Sequence, residues 1–124
     1  MTASNSILLY VTDAPTSARF YTSLLGKEPV EASATFAMFI LPSGLGLGLW
    51  GKAGVEPAPA AAGGGCDIGF KVATSDIVDA THADWRAKGA DIVMAPTDLD
   101  FGRSFVAADP DGHRLRVYTL TEEG

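Results

Sequence analysis

"RSFVAADPDGHRLRVY" (residues 103–118) reads as two alternating runs closed by a tight turn. In the second run Leu115 and Val117 alternate with Arg114, Arg116 and Tyr118. As a strand, it presents one apolar face and one face carrying two guanidinium groups and a phenol. Asp-Pro-Asp-Gly is turn chemistry, because proline presets φ, aspartate bonds nearby backbone and glycine accepts positive φ. The same construction occurs earlier in the chain. "TFAMFILPSGLGLGLW" (35–50) aligns with it without gaps at an offset of 68, setting Pro42 on Pro110 and Gly44 on Gly112. Both stretches read as hairpins.

The repetition extends toward the N-terminus. "ILLYVTD" (7–13) lies over "IGFKVAT" (68–74) at an offset of 61, with Ile7 on Ile68, Leu9 on Phe70 and Val11 on Val72. Each run alternates and then meets a helix-start signal. Asp13 is the first N-cap, with Pro15 in the first turn; Ser75 is the second, with Asp76 favouring the positive helix end. The first helix, over 14–25, sets Phe20, Tyr21, Leu24 and Leu25 on one stripe and stops at Gly26. The second, over 76–88, sets Ile77, Thr81, Trp85 and Lys88 along one side and stops at Gly89. Further strands fall near 28–32 and 91–95. The fold class is therefore α+β: a β-α-β-β-β module over 1–50, a Gly/Pro/Ala linker over 51–65, and a second module over 66–124, together one domain.

One such module leaves a sheet face uncovered. Two side by side would form a curved mixed sheet around a cup, with the helices outside. Parity then sends Ser6, Leu8, Tyr10, Gly46, Gly48 and Trp50 of the first module into the cup. From the second it sends Asp67, Gly69, Lys71, Arg114, Arg116 and Tyr118.

Composition narrows the function. A 124-residue chain with 47% hydrophobic residues is long enough for one core, and a net charge of −6 speaks against a nucleic-acid partner. Cys66 is the single cysteine, which excludes an internal disulfide or a cysteine zinc cluster; it reads as a buried thiol. The start "MTASNSILLYVTD" lacks a basic region followed by a long apolar run, and no stretch is apolar for the length of a bilayer. A soluble, cytoplasmic protein is expected. His82, mid-helix, reads as a packing or surface residue and His113 as a turn residue. Neither has a Ser or Cys nucleophile beside it. "GLGLG" and "GGG" lack the following Lys-Ser/Thr or helix of a phosphate loop.

In this order and duplication, "YVTDAPTSARFYTSLLG", "IGFKVATSDI" and "FGRSFVAADPDGHRLRV" resemble the vicinal oxygen chelate superfamily of glyoxalases, bleomycin-resistance proteins and dioxygenases. The last stretch and the strand ending in Trp50 are most similar to phenazine antibiotic-resistance proteins. The resemblance implies that catalytic members hold a divalent metal through four inward His, Glu or Gln side chains. Carried over one at a time, those positions fall on Ser6, Gly48, Asp67 and Arg116. Glycine has no donor, serine is a weak one, and arginine brings a permanent positive charge. No metal and no cofactor are expected; Arg116 and Asp67 would instead pair with each other.

The expected function is non-catalytic sequestration of a planar aromatic molecule, phenazine-type by resemblance. The alternative is a glyoxalase- or dioxygenase-like metalloenzyme with displaced ligands. The expected ligand-binding residues are Trp50 for stacking and Gly48 with Gly46 as a flat floor. Leu8, Met38 and Phe101 would be apolar walls, Asp67 and Arg116 would orient polar substituents, and Tyr118 would line the same cup. A homodimer is expected, and a linker of this length, spanning about 50 Å at roughly 3.3 Å per residue, permits module exchange between chains.

Overall fold

Alternation in "SILLYV" produces the first strand, β1 (Ser6–Val11), in which Leu9 and Val11 are buried while Leu8 and Tyr10 are exposed. The computed structural model describes residues 5–121. Asp13 ends the strand segment and caps helix α1 (Ala14–Leu25), its carboxylate accepting from the Thr16 backbone N–H and hydroxyl. Those hydrogen bonds, the side-chain one first, hold the Asp13 carboxyl below its ordinary pKa. The cap therefore stabilises the fold above the unfolded carboxyl range and fades as pH falls through the lowered folded value. Gly26, at φ 67°, closes the helix by donating to Thr22. Three strands follow: β2 (Glu31–Ala32), β3 (Phe36–Ile40) and β4 (Gly46–Gly51). They pair in the order β1-β4-β3-β2, with β1 and β4 parallel and the other pairs antiparallel.

The second module repeats the scheme with β5 (Asp67–Lys71), α2 (Ser75–Ala87), β6 (Asp91–Leu99), β7 (Gly102–Ala108) and β8 (Arg114–Tyr118). Its order is β5-β8-β7-β6, again with the first and last strands parallel. The chain divides into two compact units between Gly63 and Gly64, each built on one of these sheets. The observed elements are the duplicated α+β pattern read from the sequence.

Each core lies between one helix and one sheet face. In the first module Leu47 and Leu49 are fully buried beneath α1, with the Tyr21 ring 6.2 Å from Phe39. In the second, Leu115 and Val117 are buried, and the Trp85 ring contacts Phe105 and Phe70 edge-on at 5.4 and 5.8 Å. Adjacent register positions exchange sizes, Ala37 and Phe39 in β3 against Phe105 and Ala107 in β7, so both helices seat on one aromatic ring per hairpin.

Several expectations shift. Thr74, not Ser75, caps α2, because its hydroxyl accepts from the Ile77 N–H. The buried residues of α2 are Val78 and Trp85, with His82 half-buried between them, while Ile77 and Lys88 are exposed. The offset of 61 continues into the helix, placing Ser17 on Val78, Tyr21 on His82 and Leu24 on Trp85. His82 is thus a packing residue, edge-on to Phe105 at 5.3 Å. Cys66 is exposed rather than buried, since it precedes β5 and belongs to the glycine-rich segment. Strand β2 has two residues, whereas β6 has nine, with register breaks around Met94 and Pro96. A proline is tolerated there because β6 is an edge strand.

The two hairpin turns share a backbone solution. Leu41 and Asp109 occupy equivalent positions, each bonding across its turn, and Gly44 (φ 93°) and Gly112 (φ 85°) supply the left-handed residue. In the second turn the buried Asp109 carboxylate also accepts from the Asp111 and His113 N–H groups at 2.9 and 2.8 Å. Among the described residues no helix is long and apolar enough to cross a membrane.

One position works against this core. Ser17 is 1% exposed and its hydroxyl has no hydrogen-bond partner, where the equivalent residue of α2 is Val78. An unsatisfied buried hydroxyl and a poorer helix former both destabilise, so Ser17→Ala is expected to raise stability by about 1 kcal/mol. Urea unfolding checks this as a higher midpoint at unchanged slope.

Candidate functional site

The side chains opposite α1 form three rows set by register: Tyr10–Trp50–Phe36, Leu8–Gly48–Met38 and Ser6–Gly46–Ile40. Leu8, Tyr10 and Ile40 remain about two-fifths exposed, and Phe36, Met38 and Trp50 are half-buried. This face is an apolar, aromatic surface on a rigid sheet. The Trp50 ring meets Tyr10 edge-on at 6.4 Å, and its Nε1 approaches Gly54 in a short 3-10 turn after β4.

Gly46 and Gly48 do not form an open floor. A Cβ on Gly48 would sit 2.6 Å from Leu8 Cδ2 and 3.2 Å from Phe36 Cζ, and one on Gly46 would sit 3.1 Å from Met38 Sδ. Neighbouring side chains lean over the backbone that glycine leaves bare, and both glycines are buried. The surface presented there belongs to Leu8, Phe36 and Met38.

The equivalent face of the second module is polar. Its rows are Asp67–Arg114–Ala108, Gly69–Arg116–Val106 and Lys71–Tyr118–Ser104. Arg116 crosses the rows diagonally. Its Nε donates to Asp67 Oδ2 at 2.7 Å and its Nη1 to Ser104 Oγ at 3.0 Å. About a third of the Asp67 side chain meets solvent, and exposed pairs contribute only on the order of 0–1 kcal/mol. The principal effect of the pair is therefore to fix the direction of the guanidinium. Tyr118 leans over Gly69, with Cε1 3.2 Å from where a Cβ would stand. Phe101, exposed in the turn between β6 and β7, meets Tyr118 edge-on at 6.1 Å.

The eight residues expected to bind ligand thus fall into two sets. Leu8, Met38, Gly48 and Trp50 share the first module's face; Asp67, Arg116, Tyr118 and Phe101 gather on the second's. Sequence reading missed Phe36 and Ser104, which occupy equivalent positions in β3 and β7 at the offset of 68. Parity across the hairpin, applied to its first strand as well as its last, identifies both.

A cavity of about 380 Å³ lies elsewhere, beside the N-terminus of α2, lined by Thr74, Ser75, Leu99, Arg103 and Thr119 among others. None of the eight residues borders it. Arg103 there is committed to Asp79 and Asp98 at 2.7 and 3.0 Å, and these bonds raise its pKa further, the Asp79 bond first. They tie α2 to the β6–β7 hairpin.

The positions implied for a metal do not fit one. Gly48 has no side chain, and its neighbours fill the space where one would begin. The Asp67 carboxylate is engaged by the Arg116 cation, and Ser6 offers a single hydroxyl. Among the described residues no three His, Cys, Asp or Glu side chains cluster to hold an ion.

Residues 3–117 match the Glyoxalase/Bleomycin resistance protein/Dioxygenase superfamily, and the chain belongs to it. It is 32% identical over 120 residues to the phenazine antibiotic resistance protein EhpR of Enterobacter agglomerans, covering 94% of this chain and 91% of that protein. The solution structure of protein ATC0852 from Agrobacterium tumefaciens is similar at 45% identity and a TM-score of 0.87, covering 98% of this chain and all of that one. A glyoxalase/bleomycin resistance protein/dioxygenase from Nocardioides has a TM-score of 0.84 at 25% identity, covering 100% of this chain and 87% of that one.

Arg116→Glu restores one carboxylate of the metal-binding pattern beside Asp67. The two acids then face each other with like charge, while Gly48 and Ser6 still supply no adequate donors. Calorimetric titration of this variant with divalent zinc, nickel or manganese is expected to show no tight binding; a tight stoichiometric site would mean that the four positions are misassigned.

Proposed function

We propose that the chain binds and sequesters a planar aromatic small molecule of phenazine type, without metal and without transforming it. The observation that carries this reading is the first module's face, where Trp50, Tyr10, Phe36, Leu8 and Met38 remain partly accessible on the sheet. Flat ligands are held by apolar and aromatic contact with a few polar groups fixing orientation. Trp50 is the stacking surface in this proposal, with Leu8, Met38 and Phe36 around it and Gly48 as the gap that lets Leu8 and Phe36 close in. The second module offers its own polar recognition: Arg116, held by Asp67, for an oxygen substituent, with Tyr118 and Phe101 as aromatic neighbours. The relation to a phenazine antibiotic resistance protein supports the ligand class.

Phenazine binding should quench indole emission. Trp85, buried in the second core against Phe70 and Phe105, adds a background that Trp85→Phe removes. Trp50→Ala is expected to weaken binding by about 1–3 kcal/mol, the scale of aromatic stacking on flat bases, with the fold retained. Equal affinity of this variant and the parent would make the indole structural and move the site elsewhere.

We further propose that the chain acts as a homodimer. Val30, beside β2, and Val93, in β6, keep 67% and 47% of their surface exposed at the sheet edges, and uncovered apolar edges favour pairing. Light scattering at micromolar concentration should give twice the chain mass; the mass of one chain refutes the dimer.

A further inference from the structure

We propose that Ser104 is a positioning residue that makes the second module's open face selective for aromatic ligands bearing an acceptor oxygen, whether carboxylate, carbonyl or phenolate. The inference rests on the ligand class proposed above and adds the group that sets its polar selectivity. Ser104 is 0% exposed in the middle of β7, flanked in sequence by Arg103 and the buried Phe105. A hydroxyl in such a place is costly unless it is bonded, and its Oγ accepts from Arg116 Nη1 at 3.0 Å.

The geometry at Arg116 follows from this contact. A guanidinium has five N–H donors in one plane. Nε donates to Asp67 on β5, and Nη1 donates to Ser104 on β7, so the fork is pinned from strands on both sides of β8. Asp67 alone would hold one end and leave the other to rotate. With both contacts in place, the three remaining N–H donors keep a fixed direction, and a ligand oxygen meets a donor set that need not be ordered on binding. The first module has no such device: its equivalents of Ser104 and Arg116 are Phe36 and Gly48. Position for position, one face carries an aromatic ring over a glycine where the other carries a hydroxyl holding a cation.

The test compares phenazine-1-carboxylate with unsubstituted phenazine, titrated against the full chain and its Ser104→Ala variant. The parent is expected to prefer the carboxylate by about tenfold, the scale of one charge-assisted hydrogen bond. Ser104→Ala is expected to lose most of that preference, its affinity for the carboxylate falling about tenfold further than its affinity for unsubstituted phenazine. Arginine-selective ¹⁵N spectra of the free protein give a second readout. Separate Nη signals for Arg116 in the parent should average in Ser104→Ala, which a purely packing role would not cause. If the variant keeps the preference, weakens both compounds equally or leaves the Arg116 signals unchanged, Ser104 is structural and the inference fails while the ligand class stands. If the parent binds neither compound, the ligand class itself fails and takes this inference with it.

Discussion

The parallel pairing of the last strand with the first strand of each module is the constraint on which the rest of the structure depends. It inserts β4 between β1 and β3, and β8 between β5 and β7. A parallel pair cannot close through a tight turn and needs a long crossover, which here contains the helix and the other two strands. The inserted strand becomes central, so both of its faces are defined by neighbours. Leu47, Leu49, Leu115 and Val117, each 0–1% exposed, are consumed by the helix side. A slip of one residue would turn these side chains outward and bring Trp50 or Arg116 into the core. Burial on one face thus dictates what stands on the other.

Within that frame the two sheets diverge mainly on the open face. The helix-side positions of their strands exchange one apolar residue for another. Across the open face, Gly48 becomes Arg116, Phe36 becomes Ser104, and Trp50 becomes Tyr118. The result is an apolar aromatic surface in one module and a pinned cation in the other. The asymmetry is physically cheap because core packing penalises changes on the helix side by several kcal/mol for large truncations, whereas the open face is constrained mainly by contacts among its own residues. At the position where the resemblance implies a carboxylate ligand, Arg116 instead bonds the neighbouring Asp67 carboxylate and brings a positive charge.

The sequence by itself determined the duplication, the order of elements and the facing of nearly every strand residue, because these follow from period-two alternation and local turn chemistry. Asp13, Gly26, Gly44 and Gly112 announce their roles through bonds and backbone angles local to them. The pairing of Arg116 with Asp67 was also legible, since internal repetition placed both on one face. Contacts between neighbouring side chains were not. That Leu8 and Phe36 cover Gly48, that Ser104 accepts from Arg116, and that Val78 rather than Ile77 faces the core depend on strand register and helix rotation. A glycine in a sequence signals missing volume, but only the tertiary structure decides what fills it, because close packing lets side chains from adjacent strands reach over it.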